Sequence, residues 1–253
     1  MSENKSKPEL TTSNTGLKIK NIRKSLSKKP IVRDVSINVE RGTAIGLLGQ
    51  NGAGKTTTFY MIVGLVKPDT GSILLDKIEI SKMPIYTRGL QGISYLPQEP
   101  SVFRGMNVED NLLSIIEIVE KDKNKHDIIL QSLLNEFDIS HVRKSKSIVL
   151  SGGERRRLEI ARTLASRPRY LLLDEPLTGI DPVSIEEIKI IITKLKKKNI
   201  GVLITDHNVR ETLKIVDRVY IVNEGMIYFS GNPSEAISDE RIKKFYLGSN
   251  FSI

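Results

Sequence analysis

A glycine-rich segment near the start of the chain has the composition of an anion-binding loop. Residues 49–56 read Gly-Gln-Asn-Gly-Ala-Gly-Lys-Thr and follow an apolar stretch. Phosphate oxygens need several amide donors around them, and Gly52 and Gly54 lack the Cβ atoms that would obstruct this approach. Lys55 would add a positive charge for the outer phosphates, and the Thr56 hydroxyl is a suitable Mg²⁺ ligand. We call residues 49–56 the phosphate loop and predict that it binds a nucleoside triphosphate.

Two adjacent carboxylates follow a second apolar stretch. Residues 170–173 are Tyr-Leu-Leu-Leu, and Asp174 and Glu175 come directly after them. Ligands of parallel sheets bind at the carboxyl ends of the strands, so both acids are predicted to lie at a binding edge. Asp174 is placed to hold Mg²⁺, and Glu175 to polarise a water that attacks the γ-phosphate. The alternative, a solvated acidic turn before Pro176, is weakened by the presence of the phosphate loop.

A third segment, residues 150–154, begins a predicted helix and is called the signature segment below. Ser151 and Glu154 have the spacing of a capping box, which by itself predicts only a well-capped helix. Gly152 and Gly153 are costly there, at about 0.5–1 kcal/mol each relative to alanine, but they expose amides around the Ser151 hydroxyl. This forms a second anion cradle. One nucleotide rarely needs two cradles from one chain, so a second chain is expected to use it.

The order and spacing of these motifs resemble the ATP-binding-cassette (ABC) ATPases over roughly residues 17–250. Gln98, residues 178–181 and His207 also match the family pattern. The resemblance implies an α/β fold of the P-loop NTPase class. It would have a parallel core sheet, an N-terminal antiparallel β part and an inserted helical lobe. It further implies a head-to-tail homodimer that holds two ATP molecules, with Mg²⁺, between its subunits.

The same resemblance assigns roles to individual residues. Gln98 would contact Mg²⁺ and the attacking water, His207 the γ-phosphate, and Asp181 would link the two nucleotide sites. His207 also follows a predicted strand, which places it at the same sheet edge as Glu175. The catalytic set is thus Glu175, His207 and Gln98, and the metal set is Thr56, Gln98 and Asp174. The expected nucleotide contacts are Gly49, Gln50, Asn51, Gly52, Ala53, Gly54, Lys55, Thr56, Thr57, Ser151, Gly152, Gly153 and Asp181.

Within the family, the chain resembles the ATPase subunits of lipopolysaccharide-export transporters. Such a subunit would power extraction of lipopolysaccharide from the inner membrane and its export to the outer membrane, together with integral membrane permease subunits. Phe103 and Arg104 would then lie in the groove that holds a permease helix; the simpler alternative is an exposed loop. The segments that carry this resemblance are residues 56–60, 95–104, 151–157, 201–212 and 246–248.

Three positions depart from common family patterns. Leu26 stands where related cassettes usually have an aromatic residue that stacks on adenine, so base selectivity is expected to be looser. Gln50 replaces a common proline of the phosphate loop. Residues 147–149, Ser-Ile-Val, lack the usual Gly-Gln-Ser before the signature segment. None of these changes removes a catalytic group.

Hydrophobic periodicity predicts the elements that would position these residues. Apolar runs with strand character alternate with helical stretches, which is typical of βαβ units and a parallel sheet. The middle of the chain has helical spacing throughout, interrupted by a charged turn at residues 121–125. The predicted elements are short antiparallel strands within residues 17–37, a strand at 43–48, a helix at 56–66, a strand pair within 69–82, a helical lobe at about 105–166, a strand at 170–173, a helix at 182–198, a strand at 201–205 and a helix at 208–216.

Composition excludes several other classes of site. The 253 residues include no cysteine, so thiolate metal sites are excluded, and the three histidines lack metal-ligand spacing, so a histidine metal site is not expected. No apolar run approaches the ~20 residues of a membrane span, and the polar N-terminus is not a secretory signal. We therefore expect a soluble cytoplasmic chain, held at the cytoplasmic face of the inner membrane by partners. Residues 1–15 are predicted to be a disordered polar tail, and residues 16–250 one ABC ATP-binding domain.

The net charge of +9 is concentrated at the N-terminus. Residues 1–33 contain nine basic and two acidic side chains. A basic arm can touch nucleic acid or anionic lipid, but aromatic residues do not interleave with the charges, so a solvated chain end is the simpler interpretation. We expect no direct nucleic-acid contact, and membrane contact only through partners.

Several alternative functions share part of this pattern. The ATPase of a branched-chain amino-acid-type importer would have the same chemistry with a different cargo. A soluble nucleic-acid- or ribosome-associated ABC protein usually has two cassettes or long coiled coils, which this chain lacks. A P-loop kinase or small GTPase has no use for the signature segment, and a non-hydrolysing nucleotide-binding module conflicts with Glu175.

Overall fold

The computed structural model describes residues 15–247. The predicted polar tail lies outside the described residues except for Thr15, and so do residues 248–250 of the predicted domain. The strands are β1 (Leu17–Leu26), β2 (Lys29–Val39), β3 (Ala44–Gly49), β4 (Thr70–Leu75), β5 (Ile78–Glu79), β6 (Ile93–Leu96), β7 (Tyr170–Asp174), β8 (Gly201–Thr205), β9 (Arg218–Asn223) and β10 (Met226–Gly231). The helices are α1 (Lys55–Val63), α2 (Ile85–Leu90), α3 (Val108–Val119), α4 (His126–Glu136), α5 (Gly152–Ala165), α6 (Pro182–Lys197), α7 (Val209–Leu213), α8 (Pro233–Ser238) and α9 (Glu240–Ile242).

The ten strands of residues 15–247 are connected in the order β5-β4-β1-β2-β10-β9-β3-β8-β7-β6. Strands β9, β3, β8, β7 and β6 are parallel to their neighbours in this part of the sheet, whereas β5, β4, β1 and β2 are antiparallel. A single parallel bridge, Met226–Asp34, joins β10 to the antiparallel part. The predicted fold class, a parallel core with an N-terminal antiparallel part and a helical lobe, is confirmed.

Some elements differ from the sequence prediction. The antiparallel strands β1 and β2 have 10 and 11 residues rather than being short, because the pairing continues through register shifts. Strand β6, the β9–β10 hairpin and helices α2, α8 and α9 are not among the predicted elements. Helix α1 ends at Val63 rather than at residue 66, since Gly64 adopts a left-handed cap with φ of 92°.

Helices cover both faces of the parallel core, which explains why its strands are apolar throughout. Leu171 and Leu173 of β7 pack on the same side as the helical lobe, which is built from α3, α4 and α5. The alternate residues Tyr170 and Leu172 face the other side, where α1 packs together with the antiparallel strands. This alternation fixes strand register, and with it the side chains that emerge at the strand ends.

The carboxyl ends of β3, β7 and β8 meet at one edge of the sheet. Asp174 pairs with Thr205, so the residues that follow these two strands are neighbours. The phosphate loop follows β3, the next strand in the sheet. Among the helices of residues 15–247, none has the length and apolar character needed to cross a bilayer.

Candidate nucleotide-binding site

The phosphate loop connects β3 to α1 and leaves the first turn of that helix open. Gly54 is the N-cap in a left-handed conformation, with φ of 102°. In the described part of the chain, no side chain caps α1 and no acidic residue lies in its first turn. A Cβ at Gly54 would lie 2.9 Å from the Ile31 carbonyl oxygen, whereas the space beside Gly52 is open to 4 Å. The loop therefore requires glycine at position 54, and the uncapped amides of the first helical turn are suited to binding a phosphate.

Lys55 lies across the loop. Its Nζ donates hydrogen bonds to the carbonyl oxygens of Gly49 (2.8 Å) and Gln50 (3.0 Å). Burial lowers the pKa of Lys55, and the charges of Glu175 and Asp174 oppose that shift. The cation and the two acids therefore belong to one electrostatic cluster. Thr56, next in the helix, is exposed.

Asp174 is buried and held from both neighbouring strands. Its Oδ1 accepts a hydrogen bond from Thr205 Oγ1 (2.7 Å), and its Oδ2 accepts one from the Tyr95 hydroxyl (3.1 Å). Burial and the Asp174 charge raise the pKa of Tyr95, which keeps this phenol a donor. Each carboxylate oxygen retains a free lone pair for another contact. Tyr95 and Thr205 are functional neighbours that the sequence analysis did not assign.

The side-chain oxygens of Asp174 and Thr56 would suit Mg²⁺ only together with the phosphate oxygens of a nucleotide. Carboxylate and hydroxyl oxygens, as in Asp174 and Thr56, are the ligands that Mg²⁺ prefers, and phosphates commonly complete its shell. In the described residues, no group of three or more histidine, aspartate or glutamate side chains is arranged to hold a metal by itself.

Glu175 is the centre of the predicted catalytic set. Gln98 Nε2 donates to its Oε2 (2.6 Å), and His207 Nε2 lies 2.6 Å from its Oε1. Its backbone has a φ of 50° and its amide donates to the Thr205 carbonyl (2.8 Å). Left-handed backbone at a non-glycine residue is uncommon, and here it turns the chain directly after β7. The structure thus brings Glu175, Gln98 and His207 together.

Asp206 joins the loop that follows β7 to the loop that follows β8 through hydrogen bonds. Its buried carboxylate accepts hydrogen bonds from the amides of Leu177 and Asn208, both at 2.8 Å. Burial raises the pKa of Asp206, and these amide bonds oppose the shift. The sequence analysis missed this residue, although its position directly before His207 at a strand end could have identified it.

Tyr246 reaches the phosphate loop from the far end of the chain. The Gly49 amide donates to its hydroxyl (3.0 Å). Gly49 pairs with Val222 of β9 but lies beyond the pairing of β3 with β8, which ends at Gly46–Ile204. Burial raises the pKa of Tyr246. Nothing in the local sequence around Tyr246 indicates this contact, because it joins residues 197 positions apart.

The signature segment has the predicted capping box. The Ser151 hydroxyl accepts from the Glu154 amide (3.2 Å), and the Ser151 amide donates to Glu154 Oε2 (2.9 Å). Gly152 borders open space, whereas a Cβ at Gly153 would lie 2.6 Å from Ser184 Oγ. Close contact with α6 is therefore a second reason for glycine at position 153.

Asp181 is the N-cap of α6. Its carboxylate accepts from the amides of Val183 and Ser184 (both 3.0 Å) and from Ser184 Oγ (2.7 Å). Within the described residues, the hydrogen bonds of Asp181 and of Ser151 run to their own helices. Neither residue joins the cluster around Glu175.

Phe103 and Arg104 lie in the loop between β6 and α3. The Phe103 ring is 49% exposed, and the Arg162 guanidinium lies 4.6 Å from its centroid. The Asn111 side chain holds the Phe103 backbone: Phe103 N donates to Oδ1 (2.9 Å), and Nδ2 donates to Phe103 O (3.1 Å). An exposed aromatic ring on an anchored loop is a suitable contact for a partner.

The comparison with known families decides the classification. Residues 32–178 match the family model described as ABC transporter. The chain belongs to the ABC transporter ATP-binding family. This confirms the family resemblance of the motifs, and the cassette is accordingly a nucleotide-binding ATPase.

Individual ABC proteins are similar over most of this cassette. A probable ABC transporter ATP-binding protein of Azorhizobium caulinodans is 54% identical, covering 91% of this chain and 82% of its own length. The lipopolysaccharide export system ATP-binding protein LptB of Haemophilus influenzae is 49% identical, and that of Escherichia coli K12 is 48% identical; both alignments cover 94% of this chain and 99% of the relative. The crystal structure of the ADP conformation of MJ1267, an ATP-binding cassette of an ABC transporter, superposes with a TM-score of 0.82 at 27% identity, covering 92% of this chain and 99% of that one.

Proposed function

We propose that this ABC cassette hydrolyses ATP to power lipopolysaccharide extraction from the inner membrane and export to the outer membrane. The observation that carries the cargo assignment is the sequence identity of 48–49% with two lipopolysaccharide export ATP-binding proteins, over 99% of their lengths. Identity this high along the whole cassette extends beyond the nucleotide motifs. The proposed unit is residues 16–250, with the helical lobe at about 105–166.

The phosphate loop and α1 would bind the ATP phosphates. The backbone amides of residues 49–54 and of the first helical turn, including Thr56 and Thr57, supply donors, and Lys55 supplies the charge. To reach a γ-phosphate, Lys55 would exchange its bonds to the Gly49 and Gln50 carbonyls for phosphate oxygens. Mg²⁺, held by Thr56, Asp174 and Gln98, would neutralise negative charge that develops on the phosphates.

Glu175 would act as the general base. Its two oxygens are engaged by Gln98 and His207, so an attacking water would take the place of one of these donors. The displaced Gln98 amide would remain near the water and the metal, and the displaced His207 ring near the γ-phosphate. Asp174 stays with Thr205 and Tyr95, which separates metal binding from proton abstraction.

The signature segment would complete the site of a second copy of this chain. Ser151 and Gly152 are exposed. Exposed apolar side chains lie just before them in sequence and in the first turn of α6, which borders Gly153. Burying such side chains against another subunit would favour association. These side chains are Ile148 (59% exposed), Val149 (72%) and Val183 (71%). In this homodimer Asp181, at the start of α6, would lie between the two nucleotides.

Integral membrane permease subunits would bind at Phe103 and Arg104. The cassette would thereby be held at the cytoplasmic face of the inner membrane, with membrane contact only through these partners and no direct contact with nucleic acid. The permeases would transmit closure of the ATPase dimer to the lipid.

Purification of the tagged chain from its native membranes tests this assignment. We expect membrane-spanning subunits to copurify and the reconstituted complex to release lipopolysaccharide when ATP is added. A complex in which the cassette copurifies with the permeases and solute-binding protein of an importer would contradict the cargo assignment. A matched sample with Glu175→Gln should assemble equally well but release no lipopolysaccharide on repeated turnover.

A further inference from the structure

The hydroxyl of Ser151 is already engaged in the isolated chain. Ser151 Oγ donates its only proton to Glu154 Oε2 (2.8 Å) and accepts from the Glu154 amide (3.2 Å). A serine that donates to a phosphate must first release this carboxylate. Glu154 Oε2 would then keep only the Ser151 amide (2.9 Å) as a donor at the moment when the phosphate of a second subunit arrives.

His141 holds the other oxygen of the same carboxylate. Its Nε2 lies 3.0 Å from Glu154 Oε1. Hydrogen bonds from Ser151 and His141 lower the pKa of Glu154, so the group is a carboxylate and accepts only. His141 Nε2 must therefore carry a hydrogen and donate it to Glu154 Oε1. His141 belongs to the helical lobe, in the turn Ser140–Val142, and is exposed.

We propose that His141 is a positioning residue for the signature segment. It anchors Glu154 through Oε1, so that the Ser151 hydroxyl can turn from Oε2 to a phosphate without the carboxylate following it or opposing the incoming anion. This inference rests on the proposed function, because it takes Ser151 as a contact to the nucleotide of a second copy. It assigns His141 no contact with the nucleotide itself.

The chain offers matched variants for this interaction. His141→Ala removes the donor, and His141→Gln keeps a neutral donor of similar reach. His126 serves as a control, because it lies in the same lobe and its Nε2 contacts the Glu120 backbone oxygen at 2.8 Å rather than a signature residue. His141 is 56% exposed, so its removal leaves no buried cavity.

ATP-driven dimerisation is the first test, measured by sedimentation in a Glu175→Gln background that stops turnover. Loss of a hydrogen bond to a carboxylate should raise the dimer dissociation constant about tenfold in His141→Ala. Binding of a fluorescent ATP analogue to the monomer should stay within about twofold, since the phosphate loop is untouched. His141→Gln and His126→Gln should dimerise like the background. Unchanged dimerisation of His141→Ala, or an equal loss of monomer binding, would overturn the proposal.

Nitrogen NMR of histidine-labelled protein provides a readout that does not depend on dimerisation. The chain has three histidines, and single substitutions to glutamine assign each ring. We expect the His141 Nε2–H of the free protein to have the nitrogen shift of a hydrogen-bonded donor, and this shift to move toward that of an exposed imidazole in Glu154→Gln, which removes the charge of the acceptor. A ring with the hydrogen on Nδ1, insensitive to Glu154→Gln, contradicts the inference on His141. If the Glu175→Gln chain stays monomeric with ATP while His141 gives the expected NMR signal, the result contradicts the proposed nucleotide site shared by two subunits instead.

Discussion

Glu175 has both a constrained backbone and a carboxylate that is engaged on both oxygens. Its backbone is left-handed, with φ of 50°, and its carboxylate has a donor on each oxygen. The Thr205 carbonyl and the Asp206 carboxylate hold the surrounding loop, so the strain is supported by neighbouring strands. A base that must exchange a donor for water benefits from such a fixed backbone.

Replacing Glu175 by glutamine should separate binding from hydrolysis. The amide preserves the size of the side chain, but it offers one acceptor oxygen in place of two and cannot take a proton, so turnover should fall at least ~100-fold. ATP affinity should change less than about twofold, because the phosphate contacts remain. Phosphate release and titration calorimetry measure the two quantities. Turnover at the ordinary rate in this variant would remove Glu175 as the base.

Lys55→Ala should have the opposite effect, with loss of ATP binding itself. The ammonium is the side-chain charge predicted for the outer phosphates, and charged hydrogen bonds of this kind correspond to about 10–100-fold in the dissociation constant. Lys67, exposed just after α1, provides a matched control as Lys67→Ala. Equal calorimetric affinities for the two variants would contradict the role of the phosphate loop.

At the scale of elements, a buried ion pair on α5, the helix that begins in the signature segment, contacts the loop that carries Gln98. Arg156 of α5 donates to Glu159 Oε2 (2.9 Å) and to the Pro97 carbonyl (3.3 Å), next to Gln98. Glu159 Oε1 accepts from the Ser101 amide (3.0 Å). Helix α5 and the Gln98 loop must therefore move together, or break buried charged contacts.

Glu159→Ala should destabilise the protein by about 3 kcal/mol, because it leaves the buried Arg156 guanidinium without its counter-charge. The free energy of unfolding in urea measures this loss. Glu186→Ala breaks the pair of an exposed carboxylate with Lys189 and should change stability by less than about 1 kcal/mol. If the two variants lose equal stability, the pair does not connect these elements as described.

The sequence predicts elements well where one short pattern determines them. The phosphate loop, the Asp174 strand end and the Ser151 capping box are local, and each is found where expected. Contacts across the sheet depend on strand order, which local periodicity does not contain. The Tyr246–Gly49 bond and the Asp206 loop contacts are therefore visible only in the fold. The missed β9–β10 hairpin had a local signal, since Glu224 and Gly225 form its turn with positive φ.

At the scale of the whole molecule, the parallel strands place the predicted catalytic residues at one edge of the sheet. The helices and the loops beside them place the proposed interaction residues at the surface. Residues from β3, β7 and β8 meet beside Lys55. The helical lobe carries Ser151 at the start of α5, and the loop before α3 carries Phe103. Phe103 lies over Arg162 of α5, so the proposed partner surface and the signature segment share one helix. A partner bound at Phe103 could therefore influence the proposed subunit interface.

Phe103→Ala should weaken capture of membrane partners while sparing ATP hydrolysis by the isolated cassette. The ring is exposed, and within residues 15–247 its ring contact is with Arg162 of α5 rather than with the Glu175 cluster, so its loss should leave isolated turnover within about twofold. Tyr228→Ala is a control of matched exposure, 48% against 49%, in the antiparallel part of the sheet. Pull-down from membranes should recover partners with the control but several-fold less with Phe103→Ala. Equal recovery would place the partner surface elsewhere, and reduced isolated turnover would indicate that the loop serves the catalytic site directly.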